Sequence, residues 1–479
     1  MRDIIQRFFW PALILILCFF ALKSLFSVPF YTSHDGFTHT ARIAAYYNAV
    51  KDGQFPAKWA KNLNGNLGSP IFIYSYPLVY MIGSGLHFFG INYQDAFKLI
   101  LGGGYVLSGL AMYWWLKNRF GKTPAFIGAV FYLWTPYRFL DIYVRGAFAE
   151  NTALLFLPLI LLGIDMVFLA KSKINWWWLL LTMSTIGMLL SHNVVSAMFL
   201  PVAFLWTLLL FISTKNTKSF FLVVIGLILA FLSSSFIYFP DLLERGFIRF
   251  DQGISYWPDH FIFLQQFIRS RWDYGFDMPG MVNDAMSFEL GLANWLTLSL
   301  LALFLLIKRK ADKFVVFFIL LFVFVMAVAI YNPFSTFIWQ NTPAMKTIID
   351  FPWRWFGFLA LIMAYLGAYL VKNTPKILVV FLLIAILIAN RNHLRVNEAV
   401  TFGDEVYDNY SGTATATSNE YTPVWHKSPS FIPGDLTVIP GKFTADTYEF
   451  KVETKTDGIA AIKRFYFPQT TIYKDGQKL

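Results

Sequence analysis

The first polar stretch of the chain reads Tyr31-Thr-Ser-His-Asp-Gly-Phe-Thr-His39, and Asp35, His39, Arg42 and Tyr46 follow one another at steps of four, three and four residues. On a helix that spacing gathers them on one face. Ile43, Tyr47 and Val50 make a neighbouring apolar stripe, as in a helix lying along a membrane surface. An acid just past an apolar run is placed to act as a general base or to hold a divalent ion. Asp35 and His39, one turn apart, could also ligate a metal. The same residues equally suit a helix-capping Asp and an interfacial His.

A second constellation lies between two apolar runs, in Tyr137-Arg-Phe-Leu-Asp-Ile-Tyr-Val-Arg-Gly-Ala-Phe-Ala-Glu150. Charges at membrane depth are costly and persist mainly when paired or functional. Arg138 and Arg145 could clamp a phosphate through forked hydrogen bonds. With Asp141 and Glu150 they could instead form a network that pins two helices. His192, at a turn between spans, and Arg354, in Asp350-Phe-Pro-Trp-Arg354, are further candidates. His192 also fits a packed turn residue, and Arg354 could snorkel to the interface. Arg269, Arg271, Trp272 and Asp273 could line a pocket. Asp165, the acid inside an apolar run, reads as a paired structural group, and the lone Cys18 as apolar filler.

These residues need elements to hold them. Of 479 residues, 57% are hydrophobic and only 14% charged, against roughly 25% charged in soluble domains. The solvent for most of this chain is lipid. Eleven apolar runs qualify as spans: 8–30, 96–116, 123–137, 152–170, 176–191, 194–212, 219–239, 291–307, 314–330, 355–371 and 377–390. Arg2 and Arg7 before the first run resemble a signal peptide, but no small-x-small cleavage site follows, so that run reads as an uncleaved span.

Between the runs, the short segments 1–7, 117–122, 171–175, 213–218, 308–313 and 372–376 carry fifteen Lys or Arg and two acids, Asp3 and Asp312. By the positive-inside rule they are cytoplasmic, with the N-terminus in and the C-terminus out. Asp35, Arg138 and Arg145 then face outward. The apolar stretch 71–90 would reverse this sidedness if it crossed. Its Pro77, Gly83, Gly85 and His87 suit an interfacial or re-entrant helix instead. After Asn390 the chain turns polar. Residues 447–454 and 459–467 read as strands, and Lys474-Asp475-Gly476-Gln477 as a hairpin turn. Two residues follow, so the returning strand is missing, which leaves an open edge or a β-domain cut short.

Nucleic acid is excluded as a partner despite the net charge of +11, because the base is scattered in short clusters. No Walker A, G-x-G-x-x-G, H-E-x-x-H or C-x-x-C pattern occurs. Cytoplasmic loops of about six residues cannot house a catalytic domain.

Several segments carry a resemblance. Ser33-His-Asp-Gly36 with His39 is followed by Gly53-Gln-Phe-Pro-Ala-Lys-Trp59, then by Asn64-Gly65, Gly68-Ser-Pro-Ile-Phe72 and Tyr76-Pro-Leu78. The stretch from Pro136 to Glu150 and Phe351-Pro-Trp-Arg354 complete the set. In this order they resemble the bacterial membrane proteins termed 6-pyruvoyl-tetrahydropterin synthase-related, which in turn resemble polytopic glycosyltransferases of the GT-C fold. Phe465-Tyr-Phe-Pro468 and Tyr473-Lys-Asp-Gly476 are similar to the C-terminal β-domain of YfhO-like glycosyltransferases. Two departures stand out: Gln469 follows where those relatives tend to have Pro-Gly-Trp, and the β-domain ends early. The zinc site of soluble pterin synthases has no counterpart here.

The resemblance implies an all-α, GT-C-like membrane domain over 1–390 with about eleven transmembrane helices, and a small extracytoplasmic β-domain over 391–479. It implies a multi-pass protein of the bacterial plasma membrane that moves a sugar from a polyprenyl-phosphate donor to a glycan, lipid or protein acceptor. Asp35 and His39 become catalytic candidates, with a divalent ion between them as the expected cofactor. His34, Arg138, Asp141, Arg145, Glu150, His192 and Arg354 become substrate-binding candidates. The alternatives are a transporter or flippase of a lipid-linked or amphipathic solute, and a non-catalytic membrane scaffold. Spans nearly free of charge argue against the transporter.

Overall fold

The computed structural model describes residues 2–170, 174–250, 256–282, 284–308, 311–415, 420–426, 436–454, 464–468 and 470–478. They fall into two compact units. The first is Met1–Phe37, Phe97–Ser234 and Ser255–Thr401; the second is Thr38–Ala96, Ser235–Ile254 and Phe402–Leu479.

The first unit is built of apolar helices, because a backbone in hydrocarbon must satisfy its own hydrogen bonds. Each of the eleven apolar runs falls on helix, the 219–239 run on two helices. Five are long and apolar enough to cross a membrane: Phe8–Phe26, Tyr93–Phe120, Phe148–Leu169, Asn193–Thr214 and Pro352–Asn373. A bent pair, Thr217–Ser233 with Ser235–Phe247, adds a sixth if read as one span. The other runs form shorter helices of 13 to 17 residues: Lys122–Trp134, Trp176–Ser191, Leu292–Lys308, Lys313–Ala329 and Ile377–Ala389. A two-residue strand pair, Phe30–Tyr31 with Ala399–Val400, ties the end of the first helix to the segment after the last.

Asp165, the acid within helix Phe148–Leu169, is fully partnered. Arg119 grips it with two bonds of 2.6 Å. The indole N–H groups of Trp115 and Trp206 donate to it at 2.8 and 2.9 Å. The Arg119 guanidinium lies 4.3 Å from the Trp206 ring centre. One carboxylate thus joins helices that start at Tyr93, Phe148 and Asn193.

The second unit is assembled from three separate stretches. Ile73, Tyr74, Ile248 and Phe467 form a core, with Trp59, Phe247, Phe250 and Tyr421 packed against it. The apolar run 71–90 is not one helix but two, Ile71–Tyr74 and Leu78–Phe88, broken ahead of Pro77. At 1.5 Å per residue neither can cross a bilayer, and the first lies in the core of this unit.

The strand expected over 447–454 is present as Tyr448–Thr454, paired antiparallel with Leu436–Phe443. The expected hairpin turn is present, and the returning strand expected to be missing is there as two residues, Gln477–Lys478 pairing with Tyr473–Lys474. Asp475 and Gly476, at φ +49° and +80°, make the left-handed turn that suits a two-residue hairpin. The strand expected over 459–467 lies largely outside the described residues, and its described part, 464–467, is not in a strand. The expected boundary at 390 does not match the division found. Residues 38–96 and 235–254 fold with 402–479, while Ala399–Val400 pairs within the first unit.

Replacing Asp165 with Ala leaves Arg119 without its partner inside the spans, which costs about 3–5 kcal/mol. We expect a marked drop in the thermal midpoint of the detergent-solubilised protein, and partial recovery when Arg119→Met is added. An unchanged midpoint for Asp165→Ala would refute the structural role.

Candidate functional site

In the first unit, the loop carrying Asp35 is seated on the segment carrying Arg145. The His34 N–H donates to the Val144 carbonyl at 3.0 Å, and the Asp35 N–H to the Arg145 carbonyl at 2.9 Å. The Tyr31 hydroxyl donates to the Ile142 carbonyl. The segment is a π-helical turn, Leu140–Arg145, a form often found at functional sites. It ends at Gly146, whose φ of +66° suits glycine. A Cβ there would lie 2.6 Å from Ser33 Oγ and 3.1 Å from the Gly36 nitrogen, so glycine also lets the two loops approach.

Arg145 is the hub. Its Nη1 donates to Asp141 Oδ1 at 2.6 Å and to Glu150 Oε2 at 2.7 Å. The Tyr137 hydroxyl donates to Glu150 Oε1 at 2.7 Å. The guanidinium lies 4.7 Å from the Trp353 ring centre. Arg138, seven residues earlier, is wholly buried. It donates to Ser108 Oγ at 2.9 Å and faces the rings of Tyr105 and Tyr132. Formal charges in this buried group match: two arginines against Asp141 and Glu150.

Two charged groups stand outside that balance. Asp35 is half-buried and forms no ion pair among the described residues. Arg354 is likewise half-buried and has no acidic partner among the described residues. It donates to the Ile349 carbonyl at 2.7 Å and lies 4.7 Å from the Phe351 ring centre. Its Nε is buried with no hydrogen-bond partner. Arg354, Glu150 and His192 line a small cavity of about 10 Å³, room for about one water. His192 caps helix Asn193–Thr214 by accepting the Val195 N–H at 3.2 Å. Burial pushes His192 down to about 3, with the Arg354 and Arg145 charges adding to the effect and Glu150 opposing it. The ring is therefore neutral at physiological pH.

His34 contacts the Tyr274 carbonyl at 3.1 Å and stacks on Phe276, with ring centres 4.3 Å apart. Burial holds its pKa below the usual histidine value.

The other members of the first constellation lie in the second unit. His39 Nδ1 is 3.0 Å from the Tyr80 hydroxyl. Arg42 donates to the Ala414 carbonyl at 2.8 Å and to the Tyr80 hydroxyl at 3.3 Å. His39, Arg42 and Tyr46 are all buried. Among the described residues no three of His, Cys, Asp and Glu converge as metal ligands.

Reading the sequence missed a second set of groups in the first unit. His260 Nδ1 lies 2.7 Å from Asp277 Oδ2. The same carboxylate accepts the Trp353 indole N–H, and Trp353 underlies Arg145. Asp284 accepts from Gln266 Nε2 at 2.7 Å and from the Met286 N–H at 3.0 Å. Burial, and then the charge of Asp277, push Asp284 up to about 7. No local spacing marks these pairings. The residues singled out nearby, Arg271 and Asp273, pair with each other at 3.2 Å, with the Arg271 side chain 86% exposed.

A family model described as 6-pyruvoyl-tetrahydropterin synthase related domain, a membrane protein, matches residues 72–397. The chain belongs to this family. It is accordingly a multi-pass membrane protein of mostly helical fold. A comparison with curated proteins finds no match. Among solved structures, the chain is similar to the arabinofuranosyltransferase AftD from Mycobacteria, at 15% identity and a TM-score of 0.47. The likeness covers 81% of this chain and 26% of that one, so this chain spans about a quarter of its neighbour's length.

Two outcomes test this geometry. Gly146→Ala combines a left-handed backbone strained for alanine, about 1–3 kcal/mol, with a clash against Ser33. We expect a lower thermal midpoint, with Gly146→Ala combined with Ser33→Gly recovering part of it. Asp284 has a folded value of about 7 against 3.8 for the free group, so its proton is held more tightly in the folded state. Stability present below about pH 4 is lost as pH rises through 7. Asp284→Asn should therefore raise the midpoint at pH 8 and leave it nearly unchanged at pH 4. The reverse pattern would contradict the burial argument.

Proposed function

We propose that this protein is a membrane glycosyltransferase that takes its sugar from a polyprenyl-phosphate donor and works on the non-cytoplasmic side. The observation that carries the reading is the pair of groups left over when the buried charges are matched. Asp35, an acid, and Arg354, a cation, both adjoin Arg145. Asp35 does so through the backbone bond to the Arg145 carbonyl. Arg354 does so through the turn whose Trp353 underlies the Arg145 guanidinium.

The chemistry needs one group of each kind. The acceptor hydroxyl gives its proton to Asp35 as its oxygen attacks the anomeric carbon. The bond from that carbon to the phosphate oxygen breaks, and Arg354 stabilises the charge gathering on the departing lipid phosphate. Arg145, held by Asp141 and Glu150, positions the Asp35 loop rather than meeting substrate. The sidedness drawn from fifteen cytoplasmic Lys and Arg supports a lipid-borne donor, because a soluble nucleotide sugar is confined to the cytoplasm. The broken pair of helices over 71–90 is consistent with that sidedness.

The test is sugar transfer from polyprenyl-phosphate sugars by the reconstituted protein. Asp35→Asn should lower kcat by about 10²–10⁴-fold with little change in KM. Arg354→Gln should lower kcat/KM by about 10²–10³-fold. Full activity in Asp35→Asn would remove it as base. Solute movement across the bilayer without any acceptor would favour a transporter.

A further inference from the structure

The second unit holds a pocket of about 400 Å³, within the roughly 300–1,000 Å³ range of small-molecule sites. Its walls are tied by main-chain bonds. Asn64 N–H donates to the Gly412 carbonyl at 2.8 Å, and Gly65 N–H to the Ser411 carbonyl at 2.6 Å. Arg249 N–H donates to the Thr422 carbonyl at 2.9 Å, and Phe465 N–H to the Leu67 carbonyl at 2.7 Å. Along one wall Asn64, Gly65 and Asn66 all hold positive φ, at 55°, 67° and 65°. Asn and Gly are the residues that take up this left-handed backbone most readily.

The side chains lining the pocket have a consistent chemistry. Ser411, Thr413 and Thr422 bring hydroxyls, and Phe465 brings an aromatic face. The His426 ring stands edge-on to Phe465, with centres 4.8 Å apart. Burial, then the charge of Arg249, lower the His426 pKa, so the ring stays neutral. Among the described residues, Arg249 is the one cation in the lining, and no acid lines it. One guanidinium arm is held by the His426 carbonyl, which orients the group, and Arg249 has no ion pair among the described residues.

We propose that this pocket binds an acidic sugar of one or two rings, with Arg249 on the carboxylate or phosphate, the hydroxyls on the ring oxygens and Phe465 under the apolar ring face. A guanidinium with no ion-pair partner among the described residues selects an anion. Neutral hydroxyls and an aromatic face add nothing for a bare anion but match a polyhydroxylated ring. This site belongs to the second unit, and its occupancy does not require the proposed transfer chemistry.

The test is titration calorimetry on the full-length protein in detergent, with no lipid donor present, so the result is independent of transferase activity. The probes are glucuronate, glucose 1-phosphate, glucose, acetate and inorganic phosphate. Glucuronate or glucose 1-phosphate should bind saturably, at least about tenfold more tightly than glucose or the matching bare anion. Which of the two binds distinguishes a carboxylate ligand from a phosphate. Arg249→Gln should weaken that binding by about tenfold or more, and Arg249→Lys by less. Ser411→Ala and Phe465→Leu, which leave the Arg249 contacts intact, should each weaken binding and serve as the deciding variants should Arg249→Gln fail to fold. The proposal is overturned if neither acidic sugar binds, if acetate or phosphate binds as tightly, or if the folded variants bind like wild type.

Discussion

A guanidinium taken out of water is affordable only when its charge is met on the spot. Arg145 meets that condition with three partners of different kinds: two carboxylates and an aromatic face. Each partner comes from a different place in the chain. Asp141 lies in the same π-helical turn, Glu150 opens helix Phe148–Leu169, and Trp353 belongs to the first turn of the span Pro352–Asn373. Satisfying one cation therefore sets the positions of three elements. The main-chain carbonyl of the same residue then receives the Asp35 N–H, so the placement of the candidate base follows from the neutralisation of the arginine.

This arrangement separates two tasks that the sequence left combined. Charges near a membrane can serve as struts or as binding groups, and residue type does not say which. Burial and pairing do. Arg138 is enclosed by tyrosines and Ser108, with its Nε and Nη1 buried without a partner, while Arg145 is engaged by acids. Arg354 keeps a buried Nε without a partner and faces the cavity that it shares with Glu150 and His192.

Much of this was legible in the sequence, for reasons that can be named. Apolar runs of span length gave helices because hydrocarbon permits the backbone few other forms. Asp-Gly at 475 and 476 signalled a hairpin, whereas the break of 71–90 into two helices was not foreseen although Pro77 marks it. The loop at 31–36 and the segment 137–150 were both recognisable as unusual, since charge at membrane depth needs a reason. Their meeting through main-chain bonds was not recognisable, because backbone pairing across more than a hundred residues leaves no periodic trace. The same holds for His260 with Asp277, and for Asp284, whose shift depends on burial that no local pattern encodes. The division of the chain was missed for a related reason. A change of composition at Asn390 suggested a separate domain, yet composition cannot report that 402–479 packs with 38–96.

That packing bears on how the protein comes to be made. The core of the second unit joins Ile73 and Tyr74, near the start of the chain, to Ile248 in the middle and Phe467 near its close. A chain emerging from the ribosome delivers these pieces in order, with most of the spans inserted between the first and the last. Residues 38–96 must therefore wait, with apolar side chains uncovered, while hundreds of residues are synthesised and threaded. The core of this unit is complete only once Phe467 has been made.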